Sequence, residues 1–246
     1  MSRVSEYLRP ATLSEALACL DRPGAVVIGG GTKVNAARPA GPVVVVDLQA
    51  LPTGAVERDG ADGLLIGATV TLQRLADDAR VPAAIREAAR REQPSTLRAM
   101  ATVGGCVATA DPSSELLAAL LVHGGTVRLA GRDGEHDRSL AALLADRSPL
   151  AGRIITAVAV ETGGVTAAAR TARTPADRPI VAAVARRRPD GQRRLALTGV
   201  AAAPVLVTAE RDAAGDLDPP GDFRGSSEYR RAIAAVLTRR VLGEIG

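Results

Sequence analysis

Apolar residues recur along this chain at two spacings, and the switches between them divide it into elements. Leu13, Leu17 and Leu20 stand three and four apart, one face of a helix, and Thr12 with Glu15 three residues on forms a capping box at its start. Pro23-Gly24 ends that helix, and the apolar runs 25–28 and 43–46 read as strands. Residues 64–71 form a strand leaving through small residues, after which Thr71 caps a helix over 72–79. Pro82 opens another helix with Ala83, Ile85, Ala88 and Ala89 inward, and 114–122 is an almost wholly apolar helix. Gly124-Gly125 turns the chain into a strand over 126–130, followed by a polar turn at 131–137 and a short helix at 139–144. Residues 154–160 alternate as a half-buried strand, and Gly163-Gly164 predicts a hairpin into 165–170. Further strands are expected at 180–185, 195–201 and 204–208, then a loop rich in Gly, Pro and Asp over 215–223. The segment 226–242 closes the chain as an amphipathic helix with Tyr229, Ile233, Val236, Leu237 and Val241 on its inward face. Strands covered by a helix define an α+β unit. The pattern divides the chain into domains 1–150 and 151–246, with the boundary near Pro149–Gly152.

Composition narrows this picture. At 246 residues the chain holds one large or two modest domains. Apolar residues make up 46% but aromatics only 1%, namely Tyr7, Phe223 and Tyr229, so the core is built from Val, Leu, Ile and Ala. Lys and Arg outnumber Asp and Glu by 31 to 27. Arg186-Arg187-Arg188 and Arg193-Arg194 flank a Pro-Asp-Gly turn and read as a solvated tip. Near-balanced charge and the lack of stacking aromatics argue against nucleic acid. Cys19 and Cys106 stand alone, too few for an all-cysteine iron–sulfur cluster, and His123 and His136 lack metal-ligand spacing. The first residues carry no signal-peptide core and no apolar run reaches about 18 residues, so a soluble, cytoplasmic protein without membrane contact is expected.

The candidate chemistry lies in two glycine clusters. Residues 101–115 bring Thr102, Gly104, Gly105 and Cys106 before a strip of small residues, and Pro112-Ser113-Ser114-Glu115 then opens a helix with Asp111 or Ser113 at its N-cap. Glycine pairs permit positive φ or close approach of backbone to a bulky group. Backbone N–H groups from a glycine turn and a helix N-terminus suit an anion such as a pyrophosphate. A tight strand-to-helix turn is the plainer alternative. The second cluster, Gly29-Gly30-Gly31-Thr32-Lys33-Val34-Asn35, also follows an apolar strand. Two such loops suit one long ligand with a diphosphate in its middle. A dinucleotide fingerprint of the Rossmann kind does not fit, because its third glycine falls at Val34 and no long helix pattern follows.

The two loops, their order and their surroundings resemble the FAD-binding medium subunit of the molybdenum hydroxylases, relatives of xanthine dehydrogenase and carbon monoxide dehydrogenase. There the first loop reads roughly A-G-G-T-D-L and the second T-x-G-G-N-x, small residues, then S-P-x-S-D. Tyr7-Leu8-Arg9-Pro10, Ile66-Gly67-Ala68, Pro94-Ser95-Thr96-Leu97-Arg98 and the closing Ser-x-x-Tyr-Arg phrase at Ser226–Arg230 extend the likeness over nearly the whole chain. The resemblance implies an α+β, PCMH-type FAD-binding fold of two α+β subdomains followed by a small C-terminal α+β domain. It implies FAD with its pyrophosphate against Gly29, Gly30, Gly31, Thr32, Lys33, Val34 and Asn35 on one side and Thr102, Gly104, Gly105 and Cys106 on the other. Ser114, Glu115 and Ile155 join that set. Glu115 would accept a ribose hydroxyl, and Arg170, or else Arg173, would meet the flavin edge or a phosphate. Lys33, Cys106 and Glu115 stand where Asp, Asn and Asp are usual, and the segment 132–153 is compressed. The implied activity is relay of electrons from an iron–sulfur partner to an acceptor such as NAD, oxygen or a quinone. Molybdopterin would lie on a further subunit, and this chain would carry no acid–base catalyst and no metal. A degenerate FAD-binding scaffold without redox turnover, and a nucleotide-binding regulatory domain without flavin, are the alternatives.

Overall fold

A computed structural model describes residues 4–33, 41–209 and 217–246. A small parallel sheet comes first: β1 (Val4–Leu8), β2 (Ala25–Ile28) and β3 (Val43–Asp47), in the order β1-β3-β2, with helix α1 (Leu13–Cys19) between β1 and β2. All five residues of the valine-rich β3 are buried, as the middle strand of a parallel sheet requires. The capping box of Thr12 and Glu15 forms at the start of α1.

A five-stranded antiparallel sheet follows, built from β4 (Val56–Arg58), β5 (Gly63–Gly67), β6 (Thr126–Gly131), β7 (Gly134–Ser139) and β8 (Ile154–Glu161) in the order β4-β5-β8-β6-β7. The expected division at 150/151 falls before β8, yet β8 is the central strand of this sheet. Its helices are α2 (Leu72–Asp77), α3 (Ala83–Glu92), α4 (Ser95–Arg98), α5 (Val103–Thr109), α6 (Glu115–Val122) and α7 (Leu140–Ala145). A four-stranded antiparallel sheet closes the chain, β9 (Val165–Thr171), β10 (Val181–Arg187), β11 (Arg193–Thr198) and β12 (Val205–Val207) in the order β12-β11-β10-β9, under helix α8 (Ser227–Ile245).

The strand period of two explains how the layers join. Val181, Ala183 and Ala185 of β10 and Leu195 and Leu197 of β11 pack with α8. Val184 and Ala196, on the opposite face, join the core of the five-stranded sheet with Leu116 and Leu120 of α6. The last sheet is thus covered on both faces. All eight residues of α6 are buried, between α3 and strands β10 and β11, which accounts for its apolar sequence on every side.

Several expectations need correction. Gly163 and Gly164 do not close a hairpin, because β8 and β9 belong to different sheets. Both glycines adopt left-handed φ, and a Cβ on Gly164 would lie 2.4 Å from the carbonyl oxygen of Arg187, so they carry the chain tightly from one sheet to the next. The polar stretch after Gly131 is mostly the edge strand β7, which has no apolar face to reveal it. On α8, Tyr229 and Val236 are exposed, and the packed face is Arg230, Ala234, Leu237, Thr238, Val241, Leu242 and Ile245. Arg230 takes an inward place because its guanidinium donates to the carbonyls of Ile180 and Gly199, each at 2.9 Å.

Arg186 is not part of a solvated tip. It is 1% exposed, and its guanidinium donates to the carbonyls of Val122, Thr162 and Gly163 and to the Glu161 carboxylate at 2.8 Å. Arg188 and Arg194 pair with the same carboxylate. Beside them His123 caps the C-terminus of α6, with its Nδ1 at 2.7 Å from the Glu161 carbonyl oxygen, which assigns the proton of the neutral ring to Nδ1. Burial lowers the His123 imidazole to about 4, and the neighbouring Arg186 and Arg194 act in the same direction. The folded chain therefore refuses a proton that the unfolded chain accepts. Its stability is complete above the ordinary histidine range near 6.5, falls as pH drops toward 4, and is flat below that, a loss of about 3 kcal/mol from this group. Denaturant unfolding at pH 7 and 4.5 should show this slope in the parent, and a reduced one in His123→Gln. Equal slopes would remove the assignment.

Candidate functional site

The loop Gly29–Lys33 leaves β2 and lies directly against the segment Met100–Thr102. A Cβ on Gly29 would come 2.4 Å from the Thr102 hydroxyl, and one on Gly30 would come 1.7 Å from the Met100 carbonyl oxygen. Gly30 is glycine because two stretches of backbone touch there, and Gly29 because the Thr102 side chain fills the place of a Cβ. Gly31 has φ 68°, in the left-handed region. Gln49 holds the loop by donating to the Gly29 carbonyl at 2.7 Å. The N–H groups of Gly30, Gly31, Thr32 and Lys33 find no acceptor among the described residues.

Gly104 and Gly105 lie in the first turn of a helix, α5, with ordinary φ, rather than in a loop. Its first N–H groups are already used: Val103 donates to Val70 O, Gly104 to Ala68 O, and Gly105 to the N-cap Thr102 hydroxyl. The helix ends on Ala110, in the left-handed conformation. A Cβ on Gly104 would meet Ala68 at 2.8 Å, whereas on Gly105 it would meet only the Thr102 hydroxyl, at 3.1 Å. Gly104 is a packing glycine, and Gly105 has only the Thr102 hydroxyl close to its Cβ position.

The N-terminus of α6 is closed too. Its N-cap is Ser114, not Asp111 or Ser113. The Ser114 hydroxyl accepts from Leu117 N–H and donates to the Glu92 carboxylate at 2.9 Å. Glu92 also accepts from Leu116 N–H and, on its other oxygen, from Arg178 at 3.0 Å. A buried carboxylate thus occupies the place expected for a ligand anion, because a helix enclosed on every side needs its counter-charge from within the protein. Burial raises the Glu92 carboxyl, against Arg178, Ser114 and Leu116 N–H. Asp111 receives Ser113 N–H and hydroxyl, Arg178 and Lys33, the last at 3.4 Å. Burial works to raise its carboxyl, but the Ser113 bonds and Arg178 outweigh this and hold it below the usual carboxylate range.

Two adjoining cavities run along these elements. One, of about 220 Å³, is polar at its rim and bounded by Gly29–Lys33, Glu92, Thr102, Cys106, Thr109 and Asp111. The other, of about 240 Å³, is lined mainly by Val27, Leu48, Ala68, Leu150, Ile154 and Ile155, with Thr69, Thr102 and Arg153 as its polar members. Val27, Gly29, Thr102, Gly105 and Ala108 border both, so Gly105 sits where the chambers meet. A polar chamber edged by unpaired N–H groups, joined to an apolar one, fits a dinucleotide's diphosphate and one flat ring.

Of the residues expected at the site, Gly29, Gly30, Gly31, Thr32, Lys33, Thr102, Gly105 and Cys106 line the polar chamber, and Gly104 and Ile155 line the apolar one. Val34 and Asn35 lie outside the described residues. Ser114, Glu115 and Arg170 line neither chamber. Ser114 serves the α6 cap, and Glu115 pairs with Arg170 at 3.1 Å while Arg170 also donates to the carbonyls of Pro175 and Asp177. Burial raises the Glu115 carboxyl, opposed by Arg170 and Arg91. Sequence reasoning missed Glu92, Gln49 and Arg178 and saw Asp111 only as a cap. Nothing in their spacing marks them, since Arg178 stands 86 positions from Glu92.

The architecture and its divided groove define a PCMH-type FAD-binding protein. Residues 2–160 match the family described as the FAD binding domain in molybdopterin dehydrogenase, and the chain belongs to that family, whose cofactor is FAD. Over 250 residues it is 30% identical to protein YgfM of Escherichia coli, covering 95% of this chain and 93% of that one. It is 25% identical over 279 residues to the glyceraldehyde dehydrogenase medium chain of Sulfolobus acidocaldarius, covering 97% of each. Among solved structures, quinoline 2-oxidoreductase from Pseudomonas putida 86 has the same fold, with TM-score 0.88 at 24% identity over 100% of this chain and 98% of that one. Carbon monoxide dehydrogenase from Hydrogenophaga pseudoflava matches with TM-score 0.88 at 21% identity and the same coverage.

The two helical glycines should separate under mutation. Alanine is about 1 kcal/mol better than glycine inside a helix. Gly105→Ala sets that gain against a 3.1 Å approach of its Cβ to the Thr102 hydroxyl, so it should change the melting temperature of the flavin-free chain little while weakening FAD binding by more than tenfold, ~1.4 kcal/mol. Gly104→Ala should lower the melting temperature with or without FAD. Unchanged FAD affinity in Gly105→Ala would take this helix face out of the groove.

Proposed function

We propose that this chain is the FAD-binding electron-transfer subunit of a molybdopterin-dependent hydroxylase or dehydrogenase, relaying electrons from an iron–sulfur partner to an acceptor such as NAD or oxygen. The observation that carries this reading is the row of N–H groups from Gly30 to Lys33, without acceptors among the described residues, at the polar chamber, which is continuous with the second, mainly apolar chamber across Gly105. The loop and Lys33 would hold the diphosphate. Val27, Leu48, Ile154 and Ile155 would enclose a ring, with Gln49 and Thr102 fixing the loop's position. FAD, when bound, supplies the redox chemistry, and the chain supplies placement and electrostatics. Two cysteines cannot furnish an all-cysteine cluster, so cluster and molybdenum belong on partner subunits. The relationship to a dehydrogenase medium chain supports that assembly. In this reading the C-terminal unit begins after Glu161, where sheet pairing changes.

A scaffold that holds FAD without redox turnover is the second reading, favoured by the lack of any aromatic residue among the described residues lining the two chambers. The readings part on one measurement. The purified chain should carry stoichiometric FAD that acid releases, as FAD and not FMN. Alone it should oxidise no substrate, and it should restore turnover to the cluster and molybdenum subunits. Bound flavin that keeps its yellow, oxidised absorbance when mixed with a reduced cluster subunit would favour the scaffold, and robust turnover by the chain alone would overturn the relay.

A further inference from the structure

Of the 31 lysine and arginine residues in this chain, a single one is lysine, and it is Lys33. It lies at the end of the glycine loop, on the polar chamber, 46% exposed. Among the described residues lining that chamber it is the only cation, and it faces two carboxylates, Glu92 and Asp111. Glu92 is committed to Arg178, Ser114 and the α6 backbone. Asp111 is ionised, and it takes the remaining guanidinium nitrogen of Arg178 as well as Lys33. With Glu92 ionised in its ion pair with Arg178, the four groups are two cations and two anions. Without Lys33 the set carries one net negative charge, beside the place where a diphosphate would enter.

We propose that Lys33 balances the charge of this chamber: it offsets Asp111 in the empty groove and moves to the diphosphate when FAD binds. This deepens the FAD reading and rests on it. The geometry suits lysine better than arginine for the exchange. The Lys33 ammonium holds Asp111 Oδ2 loosely, at 3.4 Å, while Arg178 pairs with the same oxygen at 2.5 Å. A compact ammonium on a flexible stem can leave a carboxylate for a phosphate without breaking a planar, two-bond pairing. Asp111 then keeps Arg178 as its partner, and Lys33 keeps the summed charge of chamber and ligand one unit less negative than it would otherwise be.

The test uses the flavin-free full-length chain and its FAD dissociation constants. Lys33→Gln should weaken FAD by about tenfold, ~1.4 kcal/mol. Lys33→Arg should keep most of the affinity. Asp111→Asn placed in the Lys33→Gln background should recover much of the loss, a coupling that simple damage to the loop would not produce. As a second readout, an amine-reactive reagent followed by peptide mass mapping should modify Lys33, the sole side-chain amine, in the flavin-free chain, and FAD should protect it. If the parent binds FAD while Lys33→Gln binds it equally well, or if FAD leaves Lys33 fully reactive, the proposal is overturned. A parent that binds no FAD at all overturns the underlying FAD reading instead.

Discussion

Enclosing a helix on every side leaves its two ends without water, and much of this protein follows from how those ends are satisfied. The N-terminus of α6 is met by Ser114 and the Glu92 carboxylate, its C-terminus by Arg186 on the Val122 carbonyl and by the glycine turn after His123. A cap of the Ser114 kind is worth about 1 kcal/mol, whereas removing one partner of a buried ion pair costs about 3–5 kcal/mol. The charged closures therefore matter more than the cap. They also come from distant elements: Arg178 from the β9–β10 connection ties Glu92 and Asp111, and Arg186 from β10 ties Glu161 at the end of β8. Satisfying one helix thus fixes the last sheet against the rest of the chain at two points.

The polar chamber inherits its wall from this arrangement. Glu92 and Asp111 line it although both serve structural pairings, so a cavity suited to an anion is bordered by carboxylates that must stay neutralised. The glycines around it have different reasons to be glycine. Gly29 makes room for the Thr102 side chain, Gly30 for the Met100 backbone and Gly104 for Ala68, whereas Gly105 has only the Thr102 hydroxyl near its Cβ position. A glycine-rich stretch beside a ligand site is therefore not all ligand contact.

Much of this was legible in the sequence, and what was not has definite causes. The capped helices at Thr12 and Thr71 and the apolar strands β2, β3 and β8 follow from local pattern, whereas the expectation that the two glycine clusters share one ligand rests on their like settings and on the resemblance. Gly104-Gly105 reads as a turn because glycine is costly inside a helix, and only the close approach to Ala68 shows why it is kept. β1 and β7 hide because neither carries a buried alternating face. The inward Arg186 and Arg230 hide because arginine suggests solvent until its carbonyl partners are known. The placement of Ser114, Glu115 and Arg170 away from the groove was invisible for a related reason: Glu92 supplies the helix counter-charge from 22 positions upstream of Ser114, and no periodicity encodes such a pairing.

The central position of β8 governs how the polypeptide would tolerate being cut. Severed at residue 150, the first piece would lose the strand that separates β5 from β6, leaving two bare sheet edges, the kind of surface that recruits foreign strands into aggregates. A break between Glu161 and Val165 would instead leave every ladder whole. The fragments would still share the Glu161 carboxylate with Arg186, Arg188 and Arg194 and the buried face of α6 with β10 and β11. Two such fragments made separately are built to find one another and reassemble, as halves of a split reporter do.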